Sequence, residues 1–317
     1  MPYSYLQLVE RIDVVPYRHE LDVFSAFRSR VYRLIAHDGK QPLGYLLPCI
    51  VTELAQHPDI VVVDDFARTV QLHPGLKTEK ERNEALSDLA SQWREENVFE
   101  TLKGWRNELY TIYDNTKKPY MRLERALCPL LGIVMYGCHI NGYVKDEETD
   151  EIKLWIPRRS ATKPTYPGML DNMVAGGLGY PHGCFDTCVK ECYEEAGLEP
   201  EYVKKHLKSV GMISYLYQKS MDFDSEDGLI QPEVEYTYDL KLDKTVIPHP
   251  VDNEAEDFQL MSIAEVDKRL RNGEFKPNCA GVIIDFFIRH SIVTPESEPD
   301  FLTIVGKLHR LLPFPLR

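Results

Sequence analysis

Residues 176–198 read GGLGYPHGCFDTCVKECYEEAGL. Glu191, Glu194 and Glu195 stand at i, i+3 and i+4, a spacing that gathers side chains on one face of a helix or its border. Gly197 is the natural residue to stop that helix, and Leu198 and Pro200 follow it. The carboxylates are therefore expected in the last turns, where the helix dipole disfavours negative charge. Like charges one turn apart cost roughly another 0.2–0.5 kcal/mol. Nothing in the local sequence offsets this, whereas a divalent cation would. Oxygen clusters of this kind suit Mg²⁺ or Mn²⁺, which take few protein carboxylates and leave positions for water and phosphate. An isolated acidic helix face is more often simply solvated, so the argument for a site rests on the flanking spacing.

That spacing is Gly176, five residues, His182, seven residues, then Lys190-Glu191-Cys192-x-Glu194-Glu195-x-Gly197-Leu198. It resembles the Nudix box, G-x5-E-x7-R-E-U-x-E-E-x-G-U with U aliphatic. Both glycines, the three helix glutamates and the final leucine are kept. His182 replaces the first Glu, Lys190 the Arg, and Cys192 an aliphatic residue. Lys190 keeps the positive charge but lacks the planar fork that would orient Glu191 bidentately.

The similarity extends over roughly residues 120–295. Leu154-Trp155-Ile156-Pro157-Arg158-Arg159-Ser160 and the run from Thr162 to Ala175 look like a Nudix branch related to thiamine pyrophosphokinase, found in fungi and plants with an extra N-terminal domain. Tyr136–Tyr143, Pro232–Tyr236 and Phe275–Ala280 continue the resemblance. That branch has His-Gly where other Nudix proteins have Gly-Glu, which makes His182 a trait of the branch.

The resemblance implies a Nudix α/β/α sandwich with a mixed sheet, preceded by a smaller α/β N-terminal domain. It implies Mg²⁺- or Mn²⁺-dependent hydrolysis of thiamine diphosphate analogues, such as oxy- or oxo-thiamine diphosphate, to the monophosphate. Alternatives are hydrolysis of a nucleoside diphosphate derivative such as ADP-ribose, or a noncatalytic ligand-binding regulator. The expected metal ligands are Glu194 and Glu195, with Glu191 as a third ligand or an orienter of water, and the Ala175 carbonyl. The loop Asp252–Phe258 matches the region from which the family recruits a later glutamate; Glu254 is the leading general base and Glu256 the second. His182 and Lys190 are expected to support the carboxylates, while Gly176 and Gly177 permit the tight loop.

Arg158, Arg159 and Lys163 lie just before the box and are candidates to bind phosphate. Hydrolysing a diphosphate requires neutralising its charge, placing a water in line and removing a proton; the metal and these basic residues would serve the first, Glu191 the second and Glu254 or Glu256 the third.

The 317 residues with 43% hydrophobic content suffice for a large core and two domains. The expected division is an accessory domain over 1–120, a Nudix domain over 121–295 and a helical tail over 296–317. The net charge of −13 argues against broad nucleic-acid binding, but not against a small phosphorylated ligand held by a metal and local bases. No apolar run approaches a membrane span, and charges throughout the first thirty residues argue against a secretory signal. Seven cysteines without CxxC pairs point to reduced thiols and a cytoplasmic setting, with nuclear presence compatible. Cys184, Cys188 and Cys192 are read as small hydrophobes between helix and sheet. The sequence is silent on oligomeric state.

In the first module, Gly44–Val51 and Ile60–Asp64 read as strand-like runs, and Glu79–Leu102 as an amphipathic helix with Leu86, Leu89 and Trp93 inward. Strands are expected over Leu131–Ile140, Lys153–Ile156, Met173–Ala175, Val210–Tyr217 and Glu233–Leu242. Helices are expected over Glu265–Asn272, Ala280–His290 and Pro299–Leu311.

Overall fold

The computed structural model describes residues 2–317. In chain order, the first part comprises α1 (Tyr5–Val9), α2 (Leu21–Arg30), β1 (Tyr32–Ile35), β2 (Pro42–Leu46), α3 (Pro48–Leu54), β3 (Val61–Asp64) and β4 (Thr69–Leu72). It continues through α4 (Glu79–Glu95), β5 (Leu109–Tyr113), β6 (Pro119–Glu124) and α5 (Cys128–Leu131). The second part comprises β7 (Met135–Lys145), β8 (Ile152–Arg159), β9 (Val174–Gly177), α6 (Cys184–Ala196), α7 (Pro200–His206), β10 (Leu207–Gln218) and β11 (Ile230–Lys241). It ends with β12 (Ala255–Ser262), α8 (Ile263–Arg271), α9 (Pro277–Arg289) and α10 (Phe301–Leu308).

The first part builds a four-stranded sheet, β2-β1-β4-β3, and a separate β5-β6 hairpin. Helix α4 opens with a capping box from Thr78 and Glu81, which satisfies two otherwise orphaned amides. It buries Leu86, Leu89 and Trp93, and the Arg82 guanidinium donates to the Tyr120 carbonyl on β6 at 2.9 and 3.0 Å. The helix stops at Glu95, before Asn97 with its φ of 54°, so the expected run to Leu102 is shortened. The expected strand over Gly44–Val51 also divides. Strand β2 ends at Leu46, and Pro48 starts α3, because proline preforms the first turn and needs no amide partner there.

The second part is a mixed sheet of order β10-β11-β7-β8-β12, with β9 paired to β7. The β7–β11 pair is parallel and its neighbours are antiparallel. Helix α6 buries Cys188, Cys192 and Ala196 with Cys138, Ile140 and Val174. On the opposite face, α9 buries Ile283, Phe286 and Phe287 with Leu154, Ile156 and Tyr215. The result is the α/β/α sandwich with a mixed sheet, preceded by an α/β region with its own sheet. None of the described helices is long and apolar enough to cross a membrane.

The chain ends cross between these parts. Tyr5, Leu8, Val9 and Ile12 sit in the core beneath α9, not in the first module. Leu312 and Phe314 join the first core, where the Phe314 ring lies 5.2 Å from that of Tyr45. The boundary expected near 120 falls within β6. A linear division cannot anticipate this, because apolar residues at both ends find their burial far away in sequence.

A buried ion pair fixes the crossing. The Arg310 guanidinium donates to Asp13 Oδ1 at 2.8 Å, with side chains 6% and 0% exposed. The same oxygen accepts the Leu216 amide of β10 at 3.2 Å. Removing one partner of such a pair leaves an uncompensated buried charge, at a cost of about 3–5 kcal/mol. Arg310→Met is therefore expected to lower unfolding free energy by about that amount in urea titrations, while Arg310→Lys loses less.

Candidate active site

Helix α6 ends as its sequence requires, with Gly197 at φ 65° donating its amide to the Cys192 and Tyr193 carbonyls. Glu191 and Glu195 lie four residues apart and both face β9. The Glu191 side chain rests on Gly176, where a methyl group would fall 2.6 Å from its Cγ. The Ala175 amide approaches Glu195 Oε2 at 3.5 Å. Glu194 points elsewhere: it is exposed and bonded by Lys190 Nζ at 2.6 Å. Of the expected leading pair of ligands, Glu194 and Glu195, only Glu195 lies against β9, beside Glu191, while Glu194 is held by Lys190. A helix turns about 100° per residue, which sets Glu194 to the side of the face that Glu191 and Glu195 share.

Glu195 opens into a shallow cleft, with room inside for about 30 Å³, lined by Pro157, Arg159, Lys163, Asp171, Asn172, Met173, Ala175, Glu254, Ala255 and Phe258. Lys163 and Arg159 therefore line the cleft. Arg158 is absent from its walls and donates instead to the Gly168 carbonyl at 2.8 Å. Arg159 braces the cleft wall, donating to Asp171 Oδ2 at 2.5 Å and to the Tyr166 and Thr165 carbonyls. Lys163 pairs with Glu254. Glu256 is turned away and accepts the Ala161 amide at 3.1 Å, which leaves Glu254 as the loop glutamate inside the cleft. The exposed His182 makes no side-chain hydrogen bond to the glutamates among the described residues; its amide donates to the Gly179 carbonyl.

The floor of the cleft is formed by residues to which the sequence pattern attaches no role. Asp171 and Asn172 are buried. Burial would raise the Asp171 carboxyl, but Lys276 and Arg159 outweigh it and hold it down at about 2. Asn172 joins His139 Nδ1 at 2.7 Å and donates to Asn141 at 3.1 Å. His139 faces Glu235 at 3.5 Å. Burial disfavours the imidazolium, but the Glu235 charge prevails and raises His139 well above its usual range. The sequence signal for this network is polar residues, His139 and Asn141, within the otherwise apolar run of β7.

No group of three His, Cys, Asp or Glu side chains among the described residues is gathered as a ready cation cage. The electrostatics nevertheless fit a cation. Glu195 has no basic partner among the described residues; burial first, then Glu254 and Glu191, push its carboxyl well above the usual range. Burial also raises Glu191, aided by Glu194 and Glu254 and opposed by Lys190. A cluster of carboxylates in which Glu195 lacks a cationic partner among the described residues and Glu191 has only Lys190, at 3.4 Å, is a donor set a divalent ion neutralises.

Comparison with known proteins gives the same outline. The NUDIX domain model matches residues 139–279 and a domain of unknown function, DUF4743, matches residues 19–135. An uncharacterized protein of Saccharomyces cerevisiae is 42% identical over 99% of this chain and 92% of its own length. Nudix hydrolase 24, chloroplastic, of Arabidopsis thaliana is 35% identical over 85% of this chain and 70% of its own. Nudix hydrolase 20, chloroplastic, from the same plant is 39% identical over 72% of this chain and 58% of its own.

The raised carboxyl of Glu195 has a definite sign. Its neutral form is the one the metal-free fold favours, so its favourable contribution is complete at low pH and lost as pH rises through the raised folded-state value. Mg²⁺ is therefore expected to raise Tm more at about pH 8 than at about pH 5. Metal-free Glu195→Gln should melt above wild type at the higher pH yet gain little from Mg²⁺. Thermal melts with Mg²⁺ or EDTA check both outcomes.

Proposed function

The chain belongs to the Nudix hydrolases, and from that premise we propose that it is a divalent-metal-dependent diphosphatase acting on thiamine diphosphate analogues. The observation that carries the chemistry is Glu195, a half-buried carboxylate without a cationic partner among the described residues, at the wall of a cleft that also presents Lys163 and Arg159. The substrate class is supported by the resemblance of Leu154–Ala175 and Phe275–Ala280 to the branch related to thiamine pyrophosphokinase. Apolar Pro157, Met173 and Phe258 give the same cleft a wall suited to a flat ring.

Glu195 and Glu191, with the Ala175 carbonyl, would hold Mg²⁺ or Mn²⁺, and the ion would offset the negative charge of the diphosphate. Arg159, already fixed by Asp171 and two carbonyls, contributes positive charge that needs no reorganisation. Lys163 is paired with Glu254 in the free protein. A phosphate drawing Lys163 toward itself would release Glu254 to accept a proton from the attacking water. Glu256, held by the Ala161 amide, takes no part.

A general base is worth about 10²–10⁴-fold. Glu254→Gln is therefore expected to lower kcat by about that factor with little change in KM, while Glu256→Gln stays close to wild type. Phosphate release from oxythiamine diphosphate, thiamine diphosphate and ADP-ribose, with Mg²⁺ or EDTA, tests the substrate. Preference for ADP-ribose would overturn the thiamine reading. Binding without turnover would overturn the enzymatic one.

A further inference from the structure

The loop between β9 and α6 is not carried by the large sheet alone. The Leu178 amide still donates to the Tyr136 carbonyl of β7 at 2.9 Å. The chain then leaves that sheet: the Tyr180 amide donates to the Leu109 carbonyl at 2.7 Å, and Gly179 forms an antiparallel bridge with Tyr110. Strand β5, which is paired with β6, thus also takes up the loop as an added strand segment. Leu178 packs against the first core.

Side chains reinforce this backbone contact. Tyr110 is 5% exposed, and its hydroxyl fills the space that a side chain at Gly177 would need; a methyl group there would fall 1.8 Å from Oη. Glu108 lies against Gly179 in the same manner, 2.6 Å from the position of such a methyl group, and Arg125 holds Glu108 at 3.0 Å. The Arg122 guanidinium covers the Tyr180 ring at 4.2 Å. Residues 177–180 are therefore fixed by the first module. They join the strand that meets Glu191 and Glu195 to the helix that carries those glutamates.

We propose that the first module holds the loop Gly177–Gly183 in register for the site, with Tyr110 as its principal positioning residue. This rests on reading Glu191 and Glu195 as the centre of a metal-dependent diphosphatase. The loop contains three glycines, Gly177, Gly179 and Gly183, each of which widens the conformations open to an unbraced chain. Tyr180, Pro181 and His182 are exposed, so contacts within the loop do little to restrict it. A displacement of about 1 Å at a reacting centre can cost about 100-fold in rate. Tyr110 touches no reacting atom; it acts through Gly177 and Gly179.

The test uses full-length Tyr110→Ala, Tyr110→Phe and Gly177→Ala, assayed for turnover of the preferred diphosphate and for amide hydrogen exchange over residues 178–184. Tyr110→Ala is expected to lower kcat about 10- to 100-fold with KM nearly unchanged, and to accelerate exchange in the loop. Tyr110→Phe, which keeps the ring in place, restores most of both. Gly177→Ala drives a methyl group into the Tyr110 hydroxyl and should produce the same pattern. Combined with Tyr110→Ala, which vacates that space, it should cost less than the product of the two single effects.

Unchanged loop exchange and kcat in folded Tyr110→Ala would overturn the proposal, as would an effect confined to KM. If Tyr110→Ala does not fold, Tyr110→Phe and Gly177→Ala decide the matter by the same two readouts. Exchange needs no turnover, so a wild-type chain that hydrolyses none of the diphosphates would refute the activity alone. The loop's dependence on Tyr110 would still be decided.

Discussion

The close approach of α6 to β9 is the constraint on which the remainder of the structure depends. Gly176 admits Glu191 to the strand, the Ala175 amide meets Glu195, and Gly177 admits Tyr110 from the other module. A β-carbon at either glycine would overlap a neighbouring side chain. The approach also buries two carboxylates in the last turns of a helix, where its dipole opposes them. Cys188, Cys192 and Ala196 make this possible from beneath, since small side chains let the helix settle on Cys138 and Val174.

Charge is distributed unequally around this contact. The deep carboxylate of Glu195 is left without a cation, whereas the basic groups of the cleft are already engaged: Arg159 with Asp171, Lys163 with Glu254. The floor is settled by its own pairs, His139 with Glu235 and Asn172 with both His139 and Asn141. Buried networks with most partners satisfied hold side chains in one arrangement, and the cleft wall inherits that rigidity. Glu195, at the place where a ligand's charge would enter, is left without a cationic partner among the described residues.

The two modules are joined by more than a linker. The N-terminal helix α1 packs beneath α9, the C-terminal Phe314 packs on Tyr45, and Arg310 ties Asp13 to β10. Strand β5 adds the loop before α6 to its edge. Each of these contacts closes a long stretch of sequence, so its loop-closure entropy must be offset by the burial it brings.

What the sequence determined by itself is what depends on near neighbours. The spacing of Glu191, Glu195 and Gly197 specifies a helix, its carboxylate face and its end, because those features are set by helical geometry and a left-handed glycine. Apolar runs located β8, β10 and β11 to within about three residues, β11 through its period-two alternation, whereas β7 extends five residues beyond the expected Ile140. Glu195 facing inward while Glu194 faces water depended on the rotation of α6 against β9, which no local pattern records. The resemblance ranks Glu254 ahead of Glu256, but that Glu254 pairs with Lys163 while Glu256 accepts the Ala161 amide comes only from the placement of β12 and its preceding loop. Tyr110 carries no motif at all; its role arises because a strand from one module meets two glycines from another. Local sequence chose the chemical groups, and only the tertiary packing decided which of them share a cleft, because proximity between distant residues is a property of the topology.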